Sequence, residues 1–413
     1  MNDSFTAVEI CAGAGGQVLG LHEAGFTHQL AVELDGNACT TLRHNGLTPV
    51  AEGDAADGSV WDPRDYEGVT LLAGGVPCPP FTIAGKQLGA VDERDLFAWA
   101  VEQVPVIKPR ALLLENVRGL SMPRFAGYRQ RILDKLTEYG YVGDWQLLQA
   151  SDFSVPQLRP RFVLVALKLE DAEYFHWPEP GDFDPAPTVG QALFELMGDW
   201  KGADDWKGHA DKIAPTIVGG SKKHGGADLG PTRAKRAWAQ MHVDAMGLAD
   251  APPARDAEFA VGPKLTCDMV EVLQGFAGRY EYSFTGRKTS RYRQIGNAFP
   301  PPVAHAVGSA IIDAFHRRGP RRPVVVGEHD PIYKALFNAD DFLSASKLTK
   351  IAGVEMHTAA LERHISMLSK DFTVETVTHG QTTKYKLSGF NGFTGQESHI
   401  RHEAFLKNRA KIS

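Results

Sequence analysis

The chain has 413 residues, 43% hydrophobic and 23% charged, which allows two to three domains without disulfide support and excludes general disorder. Its net charge of −6, from 44 Lys+Arg against 50 Asp+Glu, excludes whole-chain basicity as a route to nucleic acid, so any such affinity must be local. No apolar run reaches the roughly 18 residues that span a bilayer, and the start lacks the basic-then-apolar pattern of a secretory signal; the four cysteines, Cys11, Cys39, Cys78 and Cys267, form no CxxC pair. These features predict a cytoplasmic protein without membrane partners, zinc ribbon or disulfide framework.

Apolar runs at Phe5–Cys11, Gln29–Glu33, Val69–Gly74, Ala111–Glu115 and Phe162–Leu167 are short and bounded by Gly, Pro or Asp. Segments with helical spacing, such as Asp95–Val106 and Tyr128–Tyr139, lie between them. This rhythm predicts an α/β fold, a mainly parallel sheet with helices on both faces, over residues 1–170. Ligands of such sheets bind beyond the carboxyl ends of the strands.

The first run ends in Glu9-Ile-Cys11-Ala12-Gly13-Ala-Gly15-Gly16, and a helix follows from Val18 to Ala24. Glycines there permit a tight turn and close approach of a ligand. The dinucleotide fingerprint GxGxxG fails, because Val18 holds the third glycine position. Glu33 closes the second run, 20 residues after Gly13, where a carboxylate can accept from ribose hydroxyls. Asp54 follows the next segment and is a candidate acceptor for an adenine amino group.

The third run leads into Gly74-Gly-Val-Pro77-Cys78-Pro-Pro-Phe81. Prolines stiffen the backbone around one thiol just past a strand end. The fourth delivers Glu115-Asn116-Val117, a carboxylate that is costly at a strand end unless used. A thiolate that adds to an electron-poor ring carbon, assisted by an acid on the neighbouring ring nitrogen, is chemistry suited to this pair. On cytosine the attack falls on C6, the acid engages N3 and C5 becomes nucleophilic toward a sulfonium methyl donor.

These motifs, in this order over about residues 5–315, resemble the bacterial DNA (cytosine-5)-methyltransferases. The resemblance includes Gln157-x-Arg159-x-Arg161, Leu265-Thr266 through Leu273-Gln-Gly-Phe276, and Gln294-Ile-Gly-Asn297-Ala-Phe-Pro-Pro301. It implies a Rossmann-like methyltransferase fold with an inserted target-recognition domain. It implies Cys78 as nucleophile, Glu115 as acid, and Arg159 and Arg161 as holders of the target cytosine and its phosphates. Cys11, Ala12, Gly13, Gly15, Gly16, Glu33, Asp54, Pro77 and Asn297 would line an S-adenosyl-L-methionine site, with no metal. The substrate would be double-stranded DNA with its target base flipped out, and the functional partner a cognate restriction endonuclease. Three positions depart from the family: Cys11 for Phe, Glu9 for Asp, and Pro79 for the Gln after the catalytic cysteine.

Rival readings have weaker support. Cys78-Pro-Pro-Phe81 is similar to the motif of DNA amino-methyltransferases, but these need an acceptor where Cys78 stands. A nicotinamide-dependent oxidoreductase leaves the prolines around Cys78 unexplained, and a deaminase lacks zinc ligands. A regulator with a decayed enzyme domain conflicts with the intact Cys78, Glu115, Arg159 and Arg161.

The resemblance assigns 171–262 to target recognition. Within it, residues 200–240 carry eight Lys/Arg against four acids. Lys222, Lys223, Arg233, Lys235 and Arg236 are the candidate DNA contacts. Residues 263–318 would return as helices to the catalytic domain. After His316-Arg-Arg-Gly-Pro-Arg-Arg-Pro323 the block 323–413 predicts two helices around Ala352-Gly353-Val354, then a hairpin at His379-Gly380, a winged-helix-like α+β pattern. Its 11 Lys/Arg against 10 Asp/Glu leave DNA binding and packing equally open.

Overall fold

The computed structural model describes residues 4–47, 49–77, 96–219, 227–276, 281–324, 327–380 and 382–391. Seven strands, β1 (Phe5–Ile10), β2 (Phe26–Glu33), β3 (Val50–Glu52), β4 (Leu71–Gly74), β5 (Ala111–Val117), β6 (Tyr141–Gln149) and β7 (Pro160–Lys168), form one sheet ordered β3-β2-β1-β4-β5-β7-β6. The first five run parallel, whereas β7 lies antiparallel to both β5 and β6. The expected mainly parallel α/β sheet is therefore present, with a reversed hairpin at one edge. Strand β6 escapes sequence inspection because Gly143 and Asp144 interrupt its apolar residues.

The central strands are apolar throughout because both sheet faces are covered. Val8 and Ile10 of β1, with Leu112 and Leu114 of β5, face helices α3 (Leu96–Glu102), α4 (Val104–Ile107) and α5 (Ala126–Glu138). Ala7, Ala111 and Leu113 face the opposite core. That core includes Leu21 of α1 (Gly16–Ala24) and Val303, Val307 and Ile311 of a late helix. Helix α2 (Gly36–Asn45) links β2 to β3 and is capped by the Asp35 carboxylate, which accepts from Asn37 N–H at 2.9 Å.

After β7 come α6 (Leu169–Ala172), α7 (Val189–Leu193), α8 (Ala203–His209), α9 (Thr232–Ala239), α10 (Cys267–Leu273), α11 (Lys288–Asn297) and the late helix α12 (Pro301–Phe315). Helices α7 to α11 share one apolar cluster, anchored by Trp206, Trp238, Met269 and Ile295 and reaching Ala14 and Leu19 of the first turn. Helix α12 packs on α1 so closely that a Cβ on Gly20 would lie 2.3 Å from the Pro301 carbonyl oxygen and 2.6 Å from the Ala304 Cβ.

The last block contains α13 (Pro331–Phe337), β8 (Leu343–Ser344), α14 (Ala345–Ala352), α15 (Thr358–Leu368), β9 (Phe372–His379) and β10 (Thr382–Phe390). Its three strands form an antiparallel sheet ordered β8-β10-β9 over a core of its own. Two helices flank Gly353, whose φ of +65° ends the first of them, and a hairpin follows. The block docks on α5. A Cβ on Gly127 would meet Leu368 Cδ2 at 2.3 Å, and His329 N–H donates to the Gln130 side chain at 2.7 Å. The buried Asp330 carboxylate accepts from Tyr333 N–H at 2.9 Å and pairs with His364 at 2.9 Å. Among the described residues no helix is long and apolar enough to cross a membrane.

Gly20→Ala is expected to force α1 from α12 and destabilise the fold by about 1–3 kcal/mol, the usual range for overpacking. Gly58→Ala, which meets nothing within 4 Å, should change stability by less than about 0.5 kcal/mol. Chemical denaturation of both variants checks the contrast.

Candidate active site

The carboxyl ends of β1, β2 and β5 meet the last turn of α11 around one cavity. Its lining includes Glu9, Cys11, Ala12, Gly13, Gln17, Glu33, Asp35, Gly75, Glu115, Arg293, Asn297 and Phe299. The turn after β1 reaches this shape through three left-handed residues, Cys11 (φ +52°), Gly13 (φ +56°) and Gly15 (φ +86°). Cys11 is unusual in this respect, since a side chain normally disfavours that region.

The glycines divide their work. A Cβ on Gly13 would meet nothing within 4 Å, so this backbone faces open space. Gly15 and Gly16 instead face protein. A Cβ on Gly15 would lie 2.5 Å from the Tyr282 hydroxyl, and one on Gly16 2.3 Å from the Phe299 carbonyl oxygen. Neither lines the cavity directly; both let α11, α12 and the 281–284 segment close over the turn.

Glu33 reaches across β1. Its carboxylate accepts from Gly13 N–H at 2.7 Å through one oxygen and from Asp35 N–H at 2.7 Å through the other. Burial raises its pKa, against the lowering effect of these backbone donors. Glu9 lies deeper, on β1, wholly buried. Its Oε2 faces His28 Nε2 at 3.2 Å, while Oε1 has no hydrogen-bond partner among the described residues. Desolvation raises its pKa above the ordinary 4.5, opposed by His28 and reinforced by Glu115 and Glu33. Asp54 is buried in the loop after β3, where its carboxylate accepts from Ala56 N–H at 3.0 Å. It is not among the residues lining the cavity.

Glu115 stands near the end of β5, where Arg161 Nε approaches its Oε1 at 2.5 Å. The register pairs Glu115 with Val163, so Arg161, two residues away on β7, shares its face of the sheet. A Cβ on Gly75 would lie 3.5 Å from Glu115 Oε2, which sets the segment leading to Cys78 beside the carboxylate. The Asn116 amide donates to the Val76 carbonyl at 3.3 Å and steadies the same segment. Pro77 is exposed at its end; Cys78 itself lies outside the described residues.

Arg159 is arranged otherwise. It is 2% exposed, and its guanidinium donates to the carbonyls of Ile217 (2.7 Å), Gly296 (2.8 Å) and Ala298 (3.0 Å). Burial lowers its pKa, with Arg161 adding repulsion. Gln157 is equally buried; its amide nitrogen donates to Leu273 O and Gln274 Oε1, and its oxygen accepts from Ile217 N–H. The Gln-x-Arg-x-Arg stretch thus ties β7 to three later segments, and only its last arginine meets Glu115.

On α9, Arg233 and Arg236 are exposed and three residues apart, so they share a helix face. Lys235 is half-buried and pairs with Asp228 at 2.8 Å. Lys222 and Lys223 lie outside the described residues. Trp238 anchors the helix in the core.

The family described as C-5 cytosine-specific DNA methylase matches residues 5–313. The chain belongs to this family. Its members' reaction, methylation of cytosine at C5 in DNA, is the activity of this methylase. It is similar to the type II methyltransferase M.NaeI of Lentzea aerocolonigenes, 61% identical over 414 residues covering 99% of this chain and 100% of the relative. It is also similar to M.NgoMIV of Neisseria gonorrhoeae, 48% identical over 76% of this chain and 99% of the relative. The methylase shares its fold with a solved DNMT2 of Spodoptera frugiperda, at a TM-score of 0.52 and 18% identity over 75% of this chain and 100% of that one.

Gln17 and Arg293 line the cavity of the methylase but were not singled out from sequence, whereas Phe299, also in the lining, belongs to the Gln294–Pro301 motif. Gln17 alone offered a signal there, as a polar residue among the apolar positions of a short helix start.

Two expectations follow. A raised carboxyl pKa in the fold means that stability is fully present below the ordinary value and is lost as pH rises through the raised one. Glu9→Gln cannot ionise, so its thermal midpoint relative to the parent should climb as pH rises above the ordinary 4.5; a constant difference would show that Glu9 titrates as if exposed. Arg159→Met should lower stability by about 3 kcal/mol by stranding buried carbonyls, whereas Arg161→Met should cost activity with a much smaller loss of stability. Denaturation and methylation assays on both variants test the division.

Proposed function

We propose that the chain is a site-specific methyltransferase that acts on a flipped-out cytosine in double-stranded DNA through a covalent bond to Cys78. The observation that carries this reading is the convergence of Glu115 and the Gly75–Pro77 segment on the cavity that Gly13 and Glu33 also border. Neighbouring strands lie about 4.8 Å apart, so a thiol three residues past Gly75 and the Glu115 carboxyl can address one ring.

The cavity residues fit S-adenosyl-L-methionine. Gly13 offers open backbone, Glu33 a carboxylate for ribose hydroxyls, and the charged residues of the lining are mainly acidic, with Glu9, Glu33, Asp35 and Glu115 against Arg293. Such a lining favours a cation. Cys11, Ala12, Gly13, Glu33, Pro77 and Asn297 would contact the donor, with Gly15 and Gly16 shaping the turn beneath it and Asp54 reserved for the adenine end. When bound, S-adenosyl-L-methionine supplies an electrophilic methyl group.

The chain's own residues do the remaining work. Cys78, as thiolate, adds to C6 of cytosine, and Glu115 holds or protonates N3 so that the added electron pair is accommodated. Arg161 fixes the Glu115 carboxyl and is proposed to help hold the target base or its phosphates. Arg159 acts as a positioning residue, joining the Arg161 strand to the segments around 217 and 297. Asn116 holds the approach to Cys78.

Arg233 and Arg236, with Lys222 and Lys223, are proposed to meet DNA from an inserted recognition domain at 171–262, where phosphate neutralisation offsets the few kcal/mol of base extrusion. Lys235 is assigned to holding α9 through Asp228. Residues 263–318 return to the catalytic domain. The block from 323 is proposed as a winged-helix-like extension braced on α5. That a type II methyltransferase is covered over 99% of its length by 76% of this chain supports an accessory role for the extension. Protection of host DNA from a cognate restriction endonuclease is the biological role proposed.

Cys78→Ser is expected to abolish methylation of plasmid DNA, read by bisulfite sequencing, while DNA affinity persists. DNA carrying 5-fluorocytosine should form an adduct with the parent protein that survives denaturing electrophoresis in the presence of the donor. Normal turnover by Cys78→Ser would overturn covalent catalysis.

A further inference from the structure

Gln17 is the second residue of α1, in the helix turn that borders the cavity. It is 3% exposed, and among the described residues neither its amide nitrogen nor its amide oxygen has a hydrogen-bond partner. A buried amide without partners is destabilising, and such groups in folded proteins are nearly always satisfied. A second buried acceptor, Glu9 Oε1, lines the same cavity and is also unpaired. The helix start adds to this pattern. Its N-cap is Gly15, which offers no side-chain cap, and no acidic residue occupies the first turn. The helix therefore presents uncompensated N–H donors and the positive end of its dipole.

These features specify the chemistry of what belongs there. A ligand group that satisfies them must offer a carboxylate to the helix start and the Gln17 N–H₂, and a donor to the Gln17 oxygen and Glu9. An α-amino acid zwitterion carries both on one carbon. Glu33, engaged with Gly13 across the turn, stands on a different strand and is suited to hydroxyls.

We infer that Gln17 is a donor-binding residue that, together with Glu9, reads the amino-acid end of the methyl donor through both atoms of its amide. This rests on the assignment of the cavity to S-adenosyl-L-methionine. It makes Gln17 a determinant of which adenosyl sulfur compounds the site accepts. Those ending in an amino acid are held, and those lacking it gain nothing from the residue.

The test is calorimetric binding of S-adenosylhomocysteine and of 5′-methylthioadenosine, which share the adenosine and the thioether and differ in the amino acid. Gln17→Leu should weaken S-adenosylhomocysteine about tenfold or more, equivalent to about 1.4 kcal/mol, and leave 5′-methylthioadenosine within about twofold. The ligand-free variant should melt no lower than the parent, because a stranded amide is replaced by a side chain of similar size with no polar atom. Gln17→Met, unbranched, repeats the measurement if leucine fails to fold. Equal weakening of both compounds, or of neither, overturns the inference. Failure of the parent protein to bind S-adenosylmethionine or S-adenosylhomocysteine would instead remove the donor-site assignment itself.

Discussion

The guanidinium of Arg159 is the tie on which the rest of the structure depends. A charge at 2% exposure is costly unless its donors are engaged, and the two terminal nitrogens of Arg159 donate to the carbonyls of Ile217, Gly296 and Ala298. Gln157 and Gln274 extend the same network, the latter donating to Ala298 O at 2.6 Å. Parts of the chain more than 130 residues apart are thereby held against the amino end of β7. Helix α11, which carries Asn297 to the cavity, has its place because of this network. An apolar core could supply equal stability, but not the same directional specification of which segment meets which.

Around that tie the carboxylates assume graded environments. Glu115 is neutralised by Arg161, Glu33 is held by two backbone N–H groups, and Glu9 is buried beside His28 with one oxygen unpaired. The difference is one of surroundings and not of position along the strand: Glu9, one residue from the end of β1, is wholly buried, whereas Glu115, two residues from the end of β5, meets an arginine, and Glu33, at the end of β2, meets the backbone of the neighbouring turn. One cavity therefore combines a carboxyl paired with an arginine and two whose ionisation burial disfavours.

Much of this was legible in the sequence because strand ends announce themselves. Apolar runs closing on Glu33 and Glu115 mark where chemistry can reach solvent, and the order of the runs reflects a parallel sheet. What escaped depended on contacts between distant segments. Nothing local in Gln157-x-Arg159-x-Arg161 tells that one arginine faces backbone carbonyls and the other a carboxylate; Arg159 lies just before β7 begins, and the docking of the 217 and 296–298 segments decides it. Nothing local tells that Gly15 and Gly16 make room for Tyr282 and Phe299, since those partners lie over 260 residues away. Lys235 looked equivalent to Arg233 and Arg236 until its proximity to Asp228 was visible. Strand β6 was hidden by its glycine and aspartate.

The reversal of β7 has one further effect. A strand running against its neighbour begins where that neighbour ends, so Arg161, at the second position of β7, arrives at the level of Val117. The arginine then reaches Glu115 from the strand's opening rather than its close. Side chains alternate along a strand, so a slip of β7 by a single residue would aim Arg161 away and bring the Phe162 ring toward the carboxylate. The Glu115–Arg161 ion pair therefore also favours this alignment of β7 on β5, because a one-residue slip would part the carboxylate from its arginine.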